Sequence, residues 1–304
     1  MKADNGGMFR LPRKIDCLAV AALVVTPQLS AAQTEPSPIA QTAPSTIAQT
    51  APVTIAEAYR LFYNAHYEEA AAAAGSLRET GTQDLENDEV RTSALLFQLR
   101  GLLKGEDARD VEKDKKEALK QCGAKCTEVL ASFMTDLHHG QALARERLKA
   151  QPGDLEALFF LGKLDLNYVW LQLGLLGHKT GWDEYWEARR SLEAVLKANP
   201  KHVRARVARG WIDYIVNTRM PWGTRWVLGG GNKKRGIATV REAAAMDGEL
   251  YERAEAEFAL WDLHVREKDF VRATELAEKL ARTFPDNKEV AQFLTKRAAA
   301  RAKR

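Results

Sequence analysis

Asp269 to Pro285 reads DFVRATELAEKLARTFP, and Glu187 to Pro200 reads EARRSLEAVLKANP. In the first stretch Phe270, Ala273, Ala277 and Leu280 recur at three- and four-residue spacing before Pro285. In the second, Ala188, Leu192 and Val195 hold the matching places before Pro200. That spacing is one apolar face of an α-helix, and a proline at its end stops the helix. Small alanines on the face let a neighbouring helix come close. A helix with a single apolar face cannot bury it alone, so a recurring copy of that face implies like hairpins stacked on one another.

A longer self-similarity lies in the middle of the chain. Gly162 and Gly210 stand 48 residues apart, as do Asp165 and Asp213, and Ala188 and Gly236. These residues resemble the tetratricopeptide repeat family. In the second half of that repeat a bulky residue opens helix B, a small residue recurs and a proline closes the unit; Phe270, Ala273, Ala277, Leu280 and Pro285 fall at those positions. The preceding helix, Glu255 to Glu267, departs from the pattern by placing Trp261 where the family has a small residue. The central units also depart in length: Gly162 and Ala188 are 26 residues apart, where a standard repeat has about 12. Two insertions of like size in one register indicate a duplicated, enlarged unit. The resemblance implies an all-α fold, a superhelical stack of antiparallel helical hairpins with one concave surface.

Upstream, Tyr67, Ala70 and Ala74 are spaced like a first helix B, and further helices are expected across Glu89 to Leu103 and Thr127 to Gln151. Residues 53–151 are therefore read as N-terminal hairpins. Residues 152–304 are read as C-terminal tetratricopeptide-like repeats, ending in a capping helix from Asn287 into KRAAARAKR. No stretch shows sustained alternation of apolar and polar residues, so no sheet is expected.

The first residues carry a different pattern. Arg10, Arg13 and Lys14 precede the apolar run Cys17 to Val25, and Ser30, Ala31 and Ala32 offer a small-residue cleavage site. Residues 1–32 read as a signal peptide cut after Ala32, which places the protein in the periplasm or outside the cell. The run would span roughly 14 Å as helix, about half of a hydrocarbon core. Its loss lowers the formal charge from +4 to +2, a balance that gives no footing for nucleic acid. Residues 33–52, with IAQTAP twice, read as a flexible linker rich in Pro, Ala and Thr. Cys122 and Cys126 then remain in QCGAKC, and an exported pair this close is expected to form a disulfide around a turn at Gly123.

No motif for a cofactor, a metal or a catalytic nucleophile is present. The spacing CxxxC is not the redox CxxC, and the adjacent His138 and His139, beside Asp136, point to different helix faces. Candidate binding residues come from the insertions. All seven tryptophans lie between Trp170 and Trp261. Trp170, Trp182, Tyr185, Trp222 and Trp226 would line an aromatic groove, with Arg219, Arg225, Lys233 and Lys234 supplying charge in NTRMPWGTRWVLGGGNKKRG, Asn217 to Gly236. The expectation is a non-enzymatic scaffold that binds a protein or peptide in the cell envelope. The alternative is a binding protein for a small apolar or anionic ligand, similar in its lengthened hairpins to the T component of certain TRAP transporters. Scaffolding predicts an open groove; ligand binding predicts a closed cavity near Trp170 and Trp226.

Overall fold

The computed structural model describes residues 53–79, 85–104, 115–178 and 180–302. The expected leader and linker, residues 1–52, lie outside them. The described residues belong to one compact unit and contain helices but no strand.

The helices are α1 (Ile55–Tyr63), α2 (Tyr67–Glu79), α3 (Leu85–Lys104), α4 (Lys115–Ala150) and α5 (Leu155–Val169), then a π-helical stretch (Trp170–Leu176). They continue as α6 (Trp182–Ala198), α7 (Val203–Arg219), α8 (Trp222–Val227), α9 (Lys233–Ala244), α10 (Leu250–Arg266), α11 (Phe270–Thr283) and α12 (Lys288–Ala302). Several starts are fixed by side chains that accept the orphan N–H of the first turn: Thr54, Asp154, His202, Asn232 and Asp269. Among the described residues no helix is long and apolar enough to cross a membrane.

Each helix packs on the next, the short α8 excepted, and the two enlarged hairpins, α5 with α6 and α7 with α9, form the most extensive contacts. Their contact is the same in kind. A Cβ on Gly162 would lie 3.0 Å from Leu192 Cγ, and one on Gly210 would lie 2.8 Å from Val240 Cγ2. Leu192 and Val240 are themselves 48 residues apart. Gly236, the counterpart of Ala188, is tighter still, since a Cβ there would come within 2.6 Å of Gly210 O.

Long α4 is broken at Gly123, whose φ of 69° is open to glycine and strained for other residues. Cys122 and Cys126 flank that break as a disulfide, with Cα atoms 5.7 Å apart.

The array closes on itself. Tyr251 of α10 stacks on Tyr59 of α1 at 4.9 Å between ring centroids. Asn287, just before α12, donates to Tyr63 O at 2.8 Å, and Arg100 of α3 pairs with Glu289 of α12. Helix α12 buries Val290 in this junction and leaves most of its remaining surface to solvent.

Candidate functional site: a central cavity over a buried charge knot

Five helices, α1, α3, α5, α7 and α10, turn one stripe each toward a common centre, and each stripe has helical spacing. On α7 it is Arg204, Val207, Ala208 and Trp211; on α5, Lys163, Leu166 and Asn167, continued by Trp170 of the π-helical stretch; on α1, Tyr59, Phe62 and Tyr63. The stripes surround a cavity of about 450 Å³, within the usual range for small-molecule sites. Aromatic rings dominate the wall: Tyr63 stacks on Phe258 at 5.5 Å, Tyr67 packs on Phe97 at 5.3 Å, and Trp211 and Trp261 also line it. The indole N–H of Trp261 has no hydrogen-bond partner among the described residues.

Every stripe begins, at its N-terminal end, with a polar residue of one knot. Arg204 donates from Nε to Glu255 Oε2 at 2.7 Å, from Nη2 to Glu89 Oε2 at 2.7 Å and from Nη1 to Tyr59 OH at 2.9 Å. Lys163 reaches Glu255 Oε1 at 2.5 Å and Glu89 Oε1 at 3.5 Å. Each of Arg204's three nitrogens donates, as a buried guanidinium requires of its partners. Burial alone would lift the Glu255 carboxyl, but Lys163 and Arg204 outweigh it and hold it well below the usual carboxylate range. Burial raises the Tyr59 hydroxyl well above its ordinary value, so it stays a neutral donor and acceptor. Tyr59 and Arg204 also line a second cavity, beside Phe159, His202 and Tyr251. The knot's Tyr59 and Arg204 are thus shared by the walls of both cavities.

The rim of the first cavity is half-exposed: Trp170, the Arg100–Glu289 pair, and Arg266, which bonds Asp262 at 3.0 Å and lies 5.3 Å over the Trp211 ring. The ionisable lining is balanced. Arg100, Lys163, Arg204 and Arg266 face Glu89, Glu255, Asp262 and Glu289.

Of the binding residues expected from sequence, Trp170 alone lines this cavity; it is 44% exposed. Tyr185 is buried and donates to Leu228 O at 2.9 Å. Trp182 and Arg219 are at the surface. Trp222 and Trp226, each 86% exposed, stand on α8 away from the cavity. Arg225 bonds the carbonyl of Met220 at 2.8 Å, Lys233 pairs with Glu267 at 2.6 Å, and Lys234 is exposed. The insertions therefore do not converge on one groove.

The histidine pair is absorbed elsewhere: His139 Nδ1 lies 2.8 Å from Asp88, and Asp136 is taken by Arg78 and Arg91. Among the described residues no group of three or more His, Cys, Asp or Glu is placed to hold a metal ion.

The knot residues were not among the sequence expectations. A signal for them exists, since Arg204 and Lys163 occupy positions whose i+3, i+4 and i+7 partners are mostly apolar. No protein-family model and no curated protein matches the chain.

Proposed function

We propose that this chain is a non-catalytic binding protein of the cell envelope, whose closed stack of tetratricopeptide-like hairpins holds a small, largely apolar ligand in the central cavity. The observation that carries this reading is the convergence of five inner stripes on one aromatic-walled space with balanced ionisable lining. A ligand with a net charge would find no surplus countercharge there, so a neutral or zwitterionic molecule fits better than an anion. Rings on the wall offer large contact area at low entropic cost. A protein partner held in the concavity would need the inner faces of α1 and α10 apart, whereas they pack together; this ranks a small ligand above a protein partner.

The test is extraction of the purified protein and mass spectrometry of the extract, with titration by the neutral apolar dye Nile red. One saturable dye site, weakened about tenfold or more by Trp211→Ala through loss of a half-buried ring from the cavity wall, is the expected result. Absence of both an extracted ligand and a saturable site would reject the reading.

A further inference from the structure

The exposed tryptophans of α8 form a separate feature. Trp222 and Trp226 are one helical turn apart on one face, each 86% exposed, and Val227 beside them is 60% exposed. No residue of α8 is buried. Yet the segment is held firmly. Arg189 of α6 donates to Leu228 O at 2.8 Å and to Gly229 O at 3.2 Å, and Tyr185 donates to the same Leu228 carbonyl. Asn217 bonds Gly231 O at 3.2 Å, and the Leu228 side chain is buried. Fixed contacts at its base thus hold an apolar tip out in water.

The segment that carries the tip has charge of one sign. Residues 217–236 contain five cations and no carboxylate. Asp213 takes Arg235 at 2.7 Å and Glu267 takes Lys233. Arg219, Arg225 and Lys234 have no carboxylate partner among the described residues. An indole pair flanked by uncompensated cations is the chemistry of the bilayer interface, where Trp sits at headgroup depth and Arg or Lys meets anionic lipid. A convex tip suits a fluid surface that can close around it. A protein partner would have to supply a matched acidic cleft.

We propose that α8 and its three unpaired cations dock this protein on an anionic lipid surface. The inference is independent of the ligand reading, since the tip lies outside the cavity.

The full chain is sedimented with phosphatidylcholine vesicles with and without phosphatidylglycerol, and its tryptophan fluorescence is read against brominated versions of the same lipids. Parent and variants share residues 1–52, so any anchoring there cancels, and quenching reads tip insertion directly. The parent is expected to favour the anionic vesicles and to be quenched. Trp222→Ala with Trp226→Ala should weaken partitioning at least about tenfold and remove most quenching. Arg219→Gln, Arg225→Gln and Lys234→Gln should weaken it about fivefold per charge, with the parent's preference lost at high salt. Circular dichroism should be unchanged, because these side chains are exposed or half-exposed. Equal binding to both vesicle types, or quenching that persists in the double tryptophan variant, would overturn the proposal. A discrete protein adduct from a photo-crosslinker at position 226 would overturn it in favour of a protein partner.

Discussion

The two enlarged hairpins carry the same backbone solution with opposite electrostatics. In the second, Asp213 accepts from Arg235 at 2.7 Å and from Arg209 at 2.8 Å; burial pulls its carboxyl up, but the two guanidiniums outweigh it and hold it low. In the first, the residue 48 positions before Arg235 is Glu187. Asp165 is fully buried, with Gln141 donating to Oδ1 at 2.7 Å, Arg145 only at 3.8 Å, and Oδ2 without a partner. Burial first, then Glu187, pushes its carboxyl up to about 8. The insertions diverge as well. The first buries Leu171 and Leu176 against α2, α3 and α4, while the second keeps its tryptophans in solvent. A duplication fixes where helices touch. It does not fix what the contact's polar neighbours do, because the side chains at matched positions differ: Arg235 of α9 stands where α6 has Glu187.

The two units meet in the knot, where Lys163 comes from the first and Arg204 from the second, and the largest effect is expected there. Arg204→Met would leave Glu89 and Glu255 buried with Lys163 alone, and should cost about 3–5 kcal/mol in urea unfolding. Lys163→Met should cost less, since Arg204 still bonds both carboxylates. If the two cost the same, Arg204 is not the centre of the knot.

The shared small-residue contact comes next. Gly236→Leu drives a side chain into backbone atoms of Gly210 and Tyr214, and should cost about 3 kcal/mol; Ala188→Leu, at a site that already carries a Cβ, about 1–2 kcal/mol. Melting should fall by about 2–4 °C per kcal/mol for a domain of this size. A melting curve unchanged by Ala188→Leu would break the equivalence of the two units.

The carboxylate difference gives a pH signature. Asp165 binds its proton more tightly folded than unfolded, so it favours the fold at low pH and loses stability as pH rises from the unfolded value near 4 toward about 8. Asp165→Asn keeps an acceptor for Gln141 and offers Glu187 a donor. It should raise stability at pH 8 by about 1–3 kcal/mol and flatten that part of the pH profile. Asp213→Asn should do the reverse and destabilise at neutral pH. Calorimetry of both variants across that range decides it.

The smallest effect is Tyr185→Phe, which removes one of two donors to Leu228 O and should cost about 1 kcal/mol or less. A larger loss would mean that Arg189 alone cannot hold the base of α8.

The helical breaks, the 48-residue register and the turn at Gly123 were legible because they rest on local spacing: a proline, a glycine or a small residue recurring on one face. The cavity was only partly legible. Trp170, an aromatic in the first insertion, lines it, whereas Trp222 and Trp226, aromatics of the second, stand on the outside. Neighbours in sequence need not be neighbours in space. Exposure of a tryptophan depends on which distant helix covers it, and none of the described helices covers α8.

By itself, then, the sequence determined an all-helical chain, a duplicated central unit whose glycines and alanines set the closest approaches, and a cysteine pair near enough to join. Only the tertiary structure decided that the first hairpin returns to the last, that Asp213 meets an arginine where Asp165 meets a glutamate, and that Arg204 is neutralised in the interior. The reason is range. Helix and turn are written within a few residues, whereas Arg204 finds Glu89 across 115 residues and Tyr59 across 145. A charge can be buried only where such distant partners arrive together.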